Sequence, residues 1–259
     1  MEERFELENR DGLSVVGLVS TPNEPQGLAF IAHGLGGFKE QKHILAVKEV
    51  FLANGYTVVS YDAIHSVGES DGNIDSVTMT SYLHDLEDVI NWARSKEFYQ
   101  EPFVLCGHSM GGMIVTLFAE MHPEIVQGLI PLSPVVSGKL WLESTEEELL
   151  KSWKEQGYYE KESSSKPGVI KKIPWNLMED TQQYDLTTSA SVLTMPVLIV
   201  YGSIEPFRTR NQQDATFFDA IPKGKKKLHL IEGAGHNYYE PHELKELKSI
   251  IDTWIKSEL

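Results

Sequence analysis

Ser109 is the side chain with the clearest capacity for covalent chemistry, because of what surrounds it. It sits in Gly107-His108-Ser109-Met110-Gly111. The apolar run Phe103-Val104-Leu105-Cys106 ahead of it reads as a buried strand, and residues 112–121 behind it have helical spacing, with Met113, Leu117 and Met121 on one stripe. A serine with glycines two residues away on either side, on a sharp strand-to-helix turn, is a nucleophile elbow: the turn is strained and no side chain crowds the hydroxyl. The helix behind the turn offers free N–H groups and partial positive charge to an oxyanion forming beside the serine. The same five residues also describe a glycine-rich turn with a solvated serine, so the rest of the chain must decide.

Two further stretches decide it. Leu28-Ala29-Phe30-Ile31-Ala32 is a second buried-strand run and ends in His33-Gly34-Leu35-Gly36-Gly37. A loop this rich in glycine can fold over the serine, and the backbone N–H of Leu35, paired with that of Met110, is the expected oxyanion hole. His33 reads as a hydrogen-bonded histidine at a strand end, with no part in proton transfer. Downstream, Leu228-His229-Leu230-Ile231 leads to Gly233-Ala234-Gly235-His236-Asn237. A histidine on a small-residue loop after the last strand can reach the serine as its base. Between the two lies the strand-like run from Pro196 to Gly202, with Glu205 three residues past its glycine. Ser109, Glu205 and His236 thus follow the chain order nucleophile, acid, base. Asp214 is the rival acid, but it falls in a helical stretch, residues 209–220, and not on a loop.

The elements that must hold these residues follow a regular rhythm. Residues 4–9 and 13–21 read as strands joined at Arg10-Asp11-Gly12, a hairpin signal. Residues 27–32 and 57–61 read as strands, 43–54 as a helix closed by Gly55, 62–72 as a Gly/Ser/Asp-rich loop and 82–95 as an amphipathic helix. Residues 126–132 form another strand and 243–256 the last helix. From Leu28 onward strands alternate with helices, which predicts an α/β fold with a mostly parallel, doubly wound sheet behind an N-terminal antiparallel hairpin. The rhythm breaks at 136–191. That stretch holds a helical piece at 145–155, Ser163-Ser164-Ser165 and a strand-like piece at 169–174. Residues 1–135 and 192–259 are therefore the expected core, with 136–191 an inserted cap. The insert carries Trp141, Trp153 and Trp175 of the five tryptophans, plus Tyr158, Tyr159 and Tyr184. These aromatics either fasten the insert to the core or wall a pocket over the serine.

With these residues in place, the chain resembles the α/β-hydrolase-fold serine esterases from its first strand to its last helix. Among them it is most similar to the small bacterial cinnamoyl/feruloyl esterases and the acylglycerol lipases. The shared motifs are His33-Gly34-Leu35-Gly36-Gly37, Gly107-His108-Ser109-Met110-Gly111-Gly112, Ser133-Pro134 and Gly235-His236. Those families carry Asp in a Gly-x-x-Asp loop where this chain has Gly202-Ser203-Ile204-Glu205, one methylene longer. The resemblance implies a carboxylic-ester hydrolase with Ser109 as nucleophile, His236 as base, Glu205 as its orienting acid, no cofactor and no metal. The insert does not align with theirs residue by residue, so no pocket residue carries over. Hydrolysis of, or acyl transfer from, amides, acylglycerols, thioesters and C–C bonds is open to the same triad, because one fold hosts many chemistries. A non-catalytic ligand-binding member of the fold is the alternative from another class.

Composition narrows the partners. Lys+Arg 23 against Asp+Glu 38 leaves a net charge of −15, which argues against nucleic acid and anionic membrane surfaces. Through long-range repulsion it also favours neutral esters, and the apolar aromatic walls expected of the insert favour short or aromatic acyl groups. Small-molecule esters are thus the expected partners of a monomer or homodimer. The start Met1-Glu2-Glu3-Arg4-Phe5 has no leader character, no apolar run is long enough to cross a membrane, and the single cysteine, Cys106, suits a reducing cytoplasm. Cys106 reads as a packing residue and His108 likewise. Asp62 reads as a hydrogen-bonding partner of loop backbone, and residues 223–227 as a solvated basic turn. The histidines His43, His65, His122 and His229 match no zinc spacing. There is neither a phosphate-binding loop nor a dinucleotide fingerprint.

Overall fold

The continuous apolar runs become the central strands of one sheet. In a computed structural model, which describes residues 1–163, 166–205, 213–224 and 226–259, β1 (Glu2–Glu8), β2 (Ser14–Ser20), β3 (Gly27–Ala32), β4 (Tyr56–Tyr61), β5 (Phe103–His108), β6 (Val126–Leu132), β9 (Val197–Gly202) and β10 (Lys226–Ile231) lie in the order β1-β2-β4-β3-β5-β6-β9-β10. β1 and β2 form the N-terminal hairpin, β2 runs antiparallel to β4, and every later pairing is parallel. β3, β5 and β9 are buried along their whole length, as strands covered on both faces must be.

Alternate residues of each strand serve opposite faces. Leu28 and Phe30 face one apolar layer, with α2 (Met79–Ala93) and α3 (Met110–Met121). Ala29 and Ile31 face the other, with α1 (Lys42–Ala53) and the C-terminal helix Pro241–Glu258. This is the α/β fold expected from the alternation. α2 begins earlier than its apolar stripe suggests. Thr78 caps it: its hydroxyl accepts from the Ser81 N–H at 2.9 Å, and the Ser81 hydroxyl in turn accepts from the Thr78 N–H at 3.2 Å.

The insert folds as α4 (Gly138–Ser144), α5 (Glu147–Gln156), an antiparallel hairpin of β7 (Tyr158–Glu162) and β8 (Ile170–Pro174), and α6 (Trp175–Thr181). It is fastened to α2, where Thr80 donates from its N–H and its hydroxyl to Asp180 at 2.8 and 2.7 Å. Trp153, Leu177 and Met178 join the apolar layer on that side of the sheet, so the insert shares its core with the main body. In the turn read as solvated, Lys226 and Lys227 are engaged. Lys226 ties down the end of α7 (Gln213–Ala220), donating to the Ile221 carbonyl at 2.7 Å, and Lys227 pairs with Glu258 at 2.8 Å. Among the described residues, no helix is long and apolar enough to cross a membrane and no three His, Cys, Asp or Glu side chains are grouped to hold a metal ion.

Candidate active site

Ser109 stands between the end of β5 and the first residue of α3, with φ 57° and ψ −118°. A left-handed φ on a non-glycine residue is strained, and strain of this kind persists where the surroundings hold it in place. Here the Ser109 N–H donates to the Leu132 carbonyl at 2.8 Å, and its carbonyl accepts from Met113 and Val135 at 3.1 and 3.2 Å. The flanking glycines are required by close approach. A Cβ on Gly107 would overlap the Gly111 carbonyl, and one on Gly111 would overlap the carbonyl of Ala32. The two glycines thus let the strand end close on the helix start and the elbow pack against β3.

The structure brings Ser109, His236 and Glu205 into one hydrogen-bonded run. His236 Nε2 lies 2.9 Å from Ser109 Oγ, and His236 Nδ1 lies 2.7 Å from Glu205 Oε1. A carboxylate accepts only, so Nδ1 carries the proton and Nε2 is left to accept from the serine. Glu205 is 1% exposed, and the longer side chain reaches the histidine directly. The side chain of Asp214 and residues 209–212 lie outside the described residues.

The two loops are fixed to each other. A Cβ on Gly202 would overlap the Ala234 carbonyl, the Ile204 N–H donates to that same carbonyl at 3.2 Å, and the Gly233 N–H donates to Ser203 Oγ at 2.9 Å. Tyr238, two residues past the histidine, is fully buried at φ 51°. Its hydroxyl donates to the Val200 carbonyl at 3.1 Å and meets Ser133 Oγ at 2.9 Å. Sequence reasoning missed Tyr238; its one signal was Ser133 of the Ser133-Pro134 motif, to which it bonds.

His108 does more than pack. Its ring lies between His43 and His236, with centroids 4.3 and 4.8 Å away, and its Nε2 donates to the His236 carbonyl at 2.7 Å. Burial, reinforced by the neighbouring His43 and His236, holds its pKa well below the ordinary histidine range. It therefore stays neutral and holds the His236 backbone without adding charge beside it. His43 is pushed down to about 3, chiefly by burial. The Cys106 thiol is buried and raised above its ordinary range, which leaves it inert as a second nucleophile.

On the other side of the serine, the loop of Gly34, Leu35, Gly36 and Gly37 closes over the site. Leu35 and Met110 both line the cleft with Ser109, and the Met110 N–H belongs to the first turn of α3, which has no intrahelical partner. His33 pins this loop: Nε2 accepts from the Ala63 N–H at 2.9 Å, so Nδ1 carries the proton and donates to the Gly34 carbonyl at 2.8 Å. Asp62 binds backbone, as expected, and an ammonium besides. It accepts from the N–H groups of Lys39 and Glu69 at 2.6 and 2.9 Å and from Lys39 Nζ at 2.8 Å. Both side chains of this ion pair are buried. Asp62→Ala leaves the Lys39 and Glu69 N–H groups without their acceptor and takes from Lys39 the buried one of its carboxylate partners, Glu69 at 2.5 Å remaining, so it is expected to lower unfolding free energy by about 2–3 kcal/mol. Urea denaturation followed by circular dichroism measures this; an unchanged midpoint would show that the pair does not hold the loop.

The cleft above Ser109 has a volume of about 160 Å³. The insert supplies Trp141, Tyr159, Lys161, Lys171 and Ile173 to its walls. The aromatics therefore divide between the two roles left open by the sequence. Trp141 and Tyr159 face the cleft, while Trp153 sits behind them with its ring against Trp141, Tyr159 and Trp175 and its indole N–H bonded to the Ile173 carbonyl at 2.9 Å. Among the described residues lining the cleft, the only carboxylate is Glu205.

The chain is 23% identical over 239 residues to the mitochondrial palmitoyl-protein thioesterase ABHD10 of Bos taurus, covering 88% of this chain and 72% of that one. Among solved structures it resembles Est1E from Butyrivibrio proteoclasticus, determined with ferulic acid bound (TM-score 0.76, 23% identity, 98% of each chain), and mouse alpha/beta hydrolase domain-containing protein 10 (TM-score 0.77, 20% identity, 98% of each chain). At these identities the solved structures share the fold. The family model described as "serine aminopeptidase, S33" matches residues 23–166, which span the glycine loop, the elbow and the first half of the insert. The chain belongs to that family of α/β-hydrolases.

Proposed function

We propose that the chain is a serine carboxylic-ester hydrolase that works through an acyl-enzyme. The observation that carries this reading is the run Glu205–His236–Ser109, with hydrogen bonds of 2.7 and 2.9 Å at a strained, glycine-flanked serine. Ser109 Oγ attacks the ester carbonyl while His236 Nε2 takes its proton. Glu205 holds the imidazole tautomer and balances the imidazolium. The Leu35 and Met110 N–H groups donate to the oxyanion, each donor being worth about 3 kcal/mol where such contacts have been removed. His236 then returns the proton to the leaving alkoxide. Water, deprotonated by the same imidazole, cleaves the acyl-enzyme to carboxylic acid and regenerates Ser109. No step calls on a metal or a cofactor.

The size, walls and charge of the cleft support this reading. Its volume of about 160 Å³ suits a short or single-ring acyl group. Trp141 and Tyr159 offer flat apolar walls, which supports an aromatic acyl group of the hydroxycinnamate type; Est1E, with ferulic acid bound, is the relative that points the same way. An aminopeptidase would need a carboxylate free to hold the substrate's α-ammonium. Glu205 is engaged by His236, and two lysines face the same space.

The test is a panel of p-nitrophenyl acetate, methyl ferulate, a monoacylglycerol, an acyl thioester and an amino-acid amide. Turnover is expected on the first two, with little on the amide. Amide turnover exceeding that of both esters would overturn the reading. If residues 136–191 act as a cap that selects substrates, Trp141→Ala should lower kcat/KM for methyl ferulate about tenfold more than for p-nitrophenyl acetate, the scale of one lost aromatic contact. An equal effect on both would make the insert a packing element only.

A further inference from the structure

The hairpin β7–β8 has two faces of different electrical character. Its outer face is balanced, with Lys172 3.7 Å from Glu160 across the strands. Its inner face is not. Tyr159 pairs with Ile173 and Lys161 pairs with Lys171 in the antiparallel register, and all four line the cleft over Ser109. Two lysines directly opposite each other repel, and like pairs at this position destabilise a hairpin. Nothing about the fold of the hairpin requires them.

Lys171 is the more unusual of the two. It is 7% exposed, and a lysine so covered ordinarily has an acid beside it. Here no described carboxylate faces it; burial, and after it the charge of Lys161, pulls its pKa below the ordinary lysine range. Its ammonium rests on the glycine loop of the site, where a Cβ on Gly36 would come within 3.1 Å of Lys171 Nζ. Gly36 adjoins Leu35, the proposed oxyanion donor. The third nearby lysine is already engaged: Lys166 donates to the Val67 carbonyl and lies over the Phe38 ring.

From this placement we infer that Lys171 and Lys161 form a specificity site for an anionic oxygen group, carboxylate or phosphate, carried by the ester substrate next to its reacting carbonyl. The inference rests on the serine-esterase reading and narrows its substrate class. It also reverses, at short range, what the net charge of −15 implies. Fields from distant surface acids fade over a Debye length of about 8 Å at physiological ionic strength, whereas the two ammonium groups line the cleft itself.

Matched substrates test it. One pair places the charge on the acyl side: the p-nitrophenyl half-ester of succinate against p-nitrophenyl methyl succinate. A second places it on the alcohol side: 4-carboxyphenyl acetate against 4-carbamoylphenyl acetate. The expected result is that the anionic member of at least one pair is favoured about tenfold in kcat/KM, the scale of a charge-assisted hydrogen bond. Which pair responds tells on which side the anion lies. Lys171→Met should flatten that preference and Lys171→Arg should retain it, while Lys172→Met, on the outer face, should leave it as in the wild type. If Lys171→Met does not fold, Lys161→Met must reduce the preference. A wild type that favours neither anion, or a preference that survives both Lys171→Met and Lys161→Met, overturns the inference. Should no ester be turned over at all, the esterase reading fails separately. Calorimetric titration of the Ser109→Ala protein with succinate and with inorganic phosphate then decides the anion site alone. Binding lost in Lys171→Met supports it, and no binding to either anion overturns it.

Discussion

Ser109→Ala is expected to abolish ester turnover and leave the fold intact. The substitution removes one oxygen from a side chain at the floor of the cleft, and the contacts that hold the elbow are made by the Ser109 backbone, whose N–H and carbonyl are bonded to β6, α3 and Val135. Alanine tolerates the left-handed φ of 57° no better and no worse than serine. Thermal stability should therefore change little, while kcat falls by about a millionfold, the drop seen when a triad serine is deleted. The oxyanion donors remain, so the residue of activity measures what they do without a nucleophile. A folded variant retaining more than about one per cent of kcat would mean that the hydroxyl is not the attacking group.

Glu205→Gln is expected to be the next most damaging change, lowering kcat by about 10⁴ as the equivalent substitution does in a serine protease. The amide is isosteric and keeps the side chain in its buried slot, but it carries no charge to balance an imidazolium. It can also present its NH₂ group to Nδ1, which stabilises the wrong tautomer and turns the Nε2 proton toward the serine it should accept from. Because Glu205 lies 2.7 Å from His236 Nδ1, the effect should fall on kcat more than on KM. Asp214→Asn, the change at the rival acid, is expected to be close to wild type. The reverse pattern, a dead Asp214→Asn beside an active Glu205→Gln, would transfer the role.

The parts of this site that could be read in the sequence are those where backbone geometry admits few residues. Gly107 and Gly111 are demanded by close contacts with carbonyl oxygens, so their spacing around Ser109 advertises the elbow. The central strands were legible as unbroken apolar runs because they are covered on both faces. The start of α2 was harder to see, since Thr78 is answered by Ser81 at the third helical position and not by the more recognisable Glu or Gln. β7 escaped notice because Tyr158-Tyr159-Glu160-Lys161-Glu162 has no apolar alternation; its place is set by pairing with β8. The same is true of the lysines. A lysine in a polar hairpin reads as solvent-facing, and only the register Lys161–Lys171 and the docking of the hairpin over the glycine loop turn the pair inward. Tyr238 was hidden for a related reason: its hydroxyl finds Val200 and Ser133, partners 38 and 105 residues away, which no local pattern encodes.

The central claim is that Ser109 is the nucleophile, activated by His236. Incubation with a p-nitrophenyl alkylphosphonate, followed by intact-mass measurement and peptide mapping, tests it most directly, because the reagent reacts with the activated hydroxyl and the adduct mimics the tetrahedral intermediate. The prediction is one phosphonyl group per chain, on the peptide containing Ser109, formed in step with loss of esterase activity and absent from His236→Ala. A stoichiometric adduct on any other residue, or full inactivation with Ser109 unmodified, would contradict it.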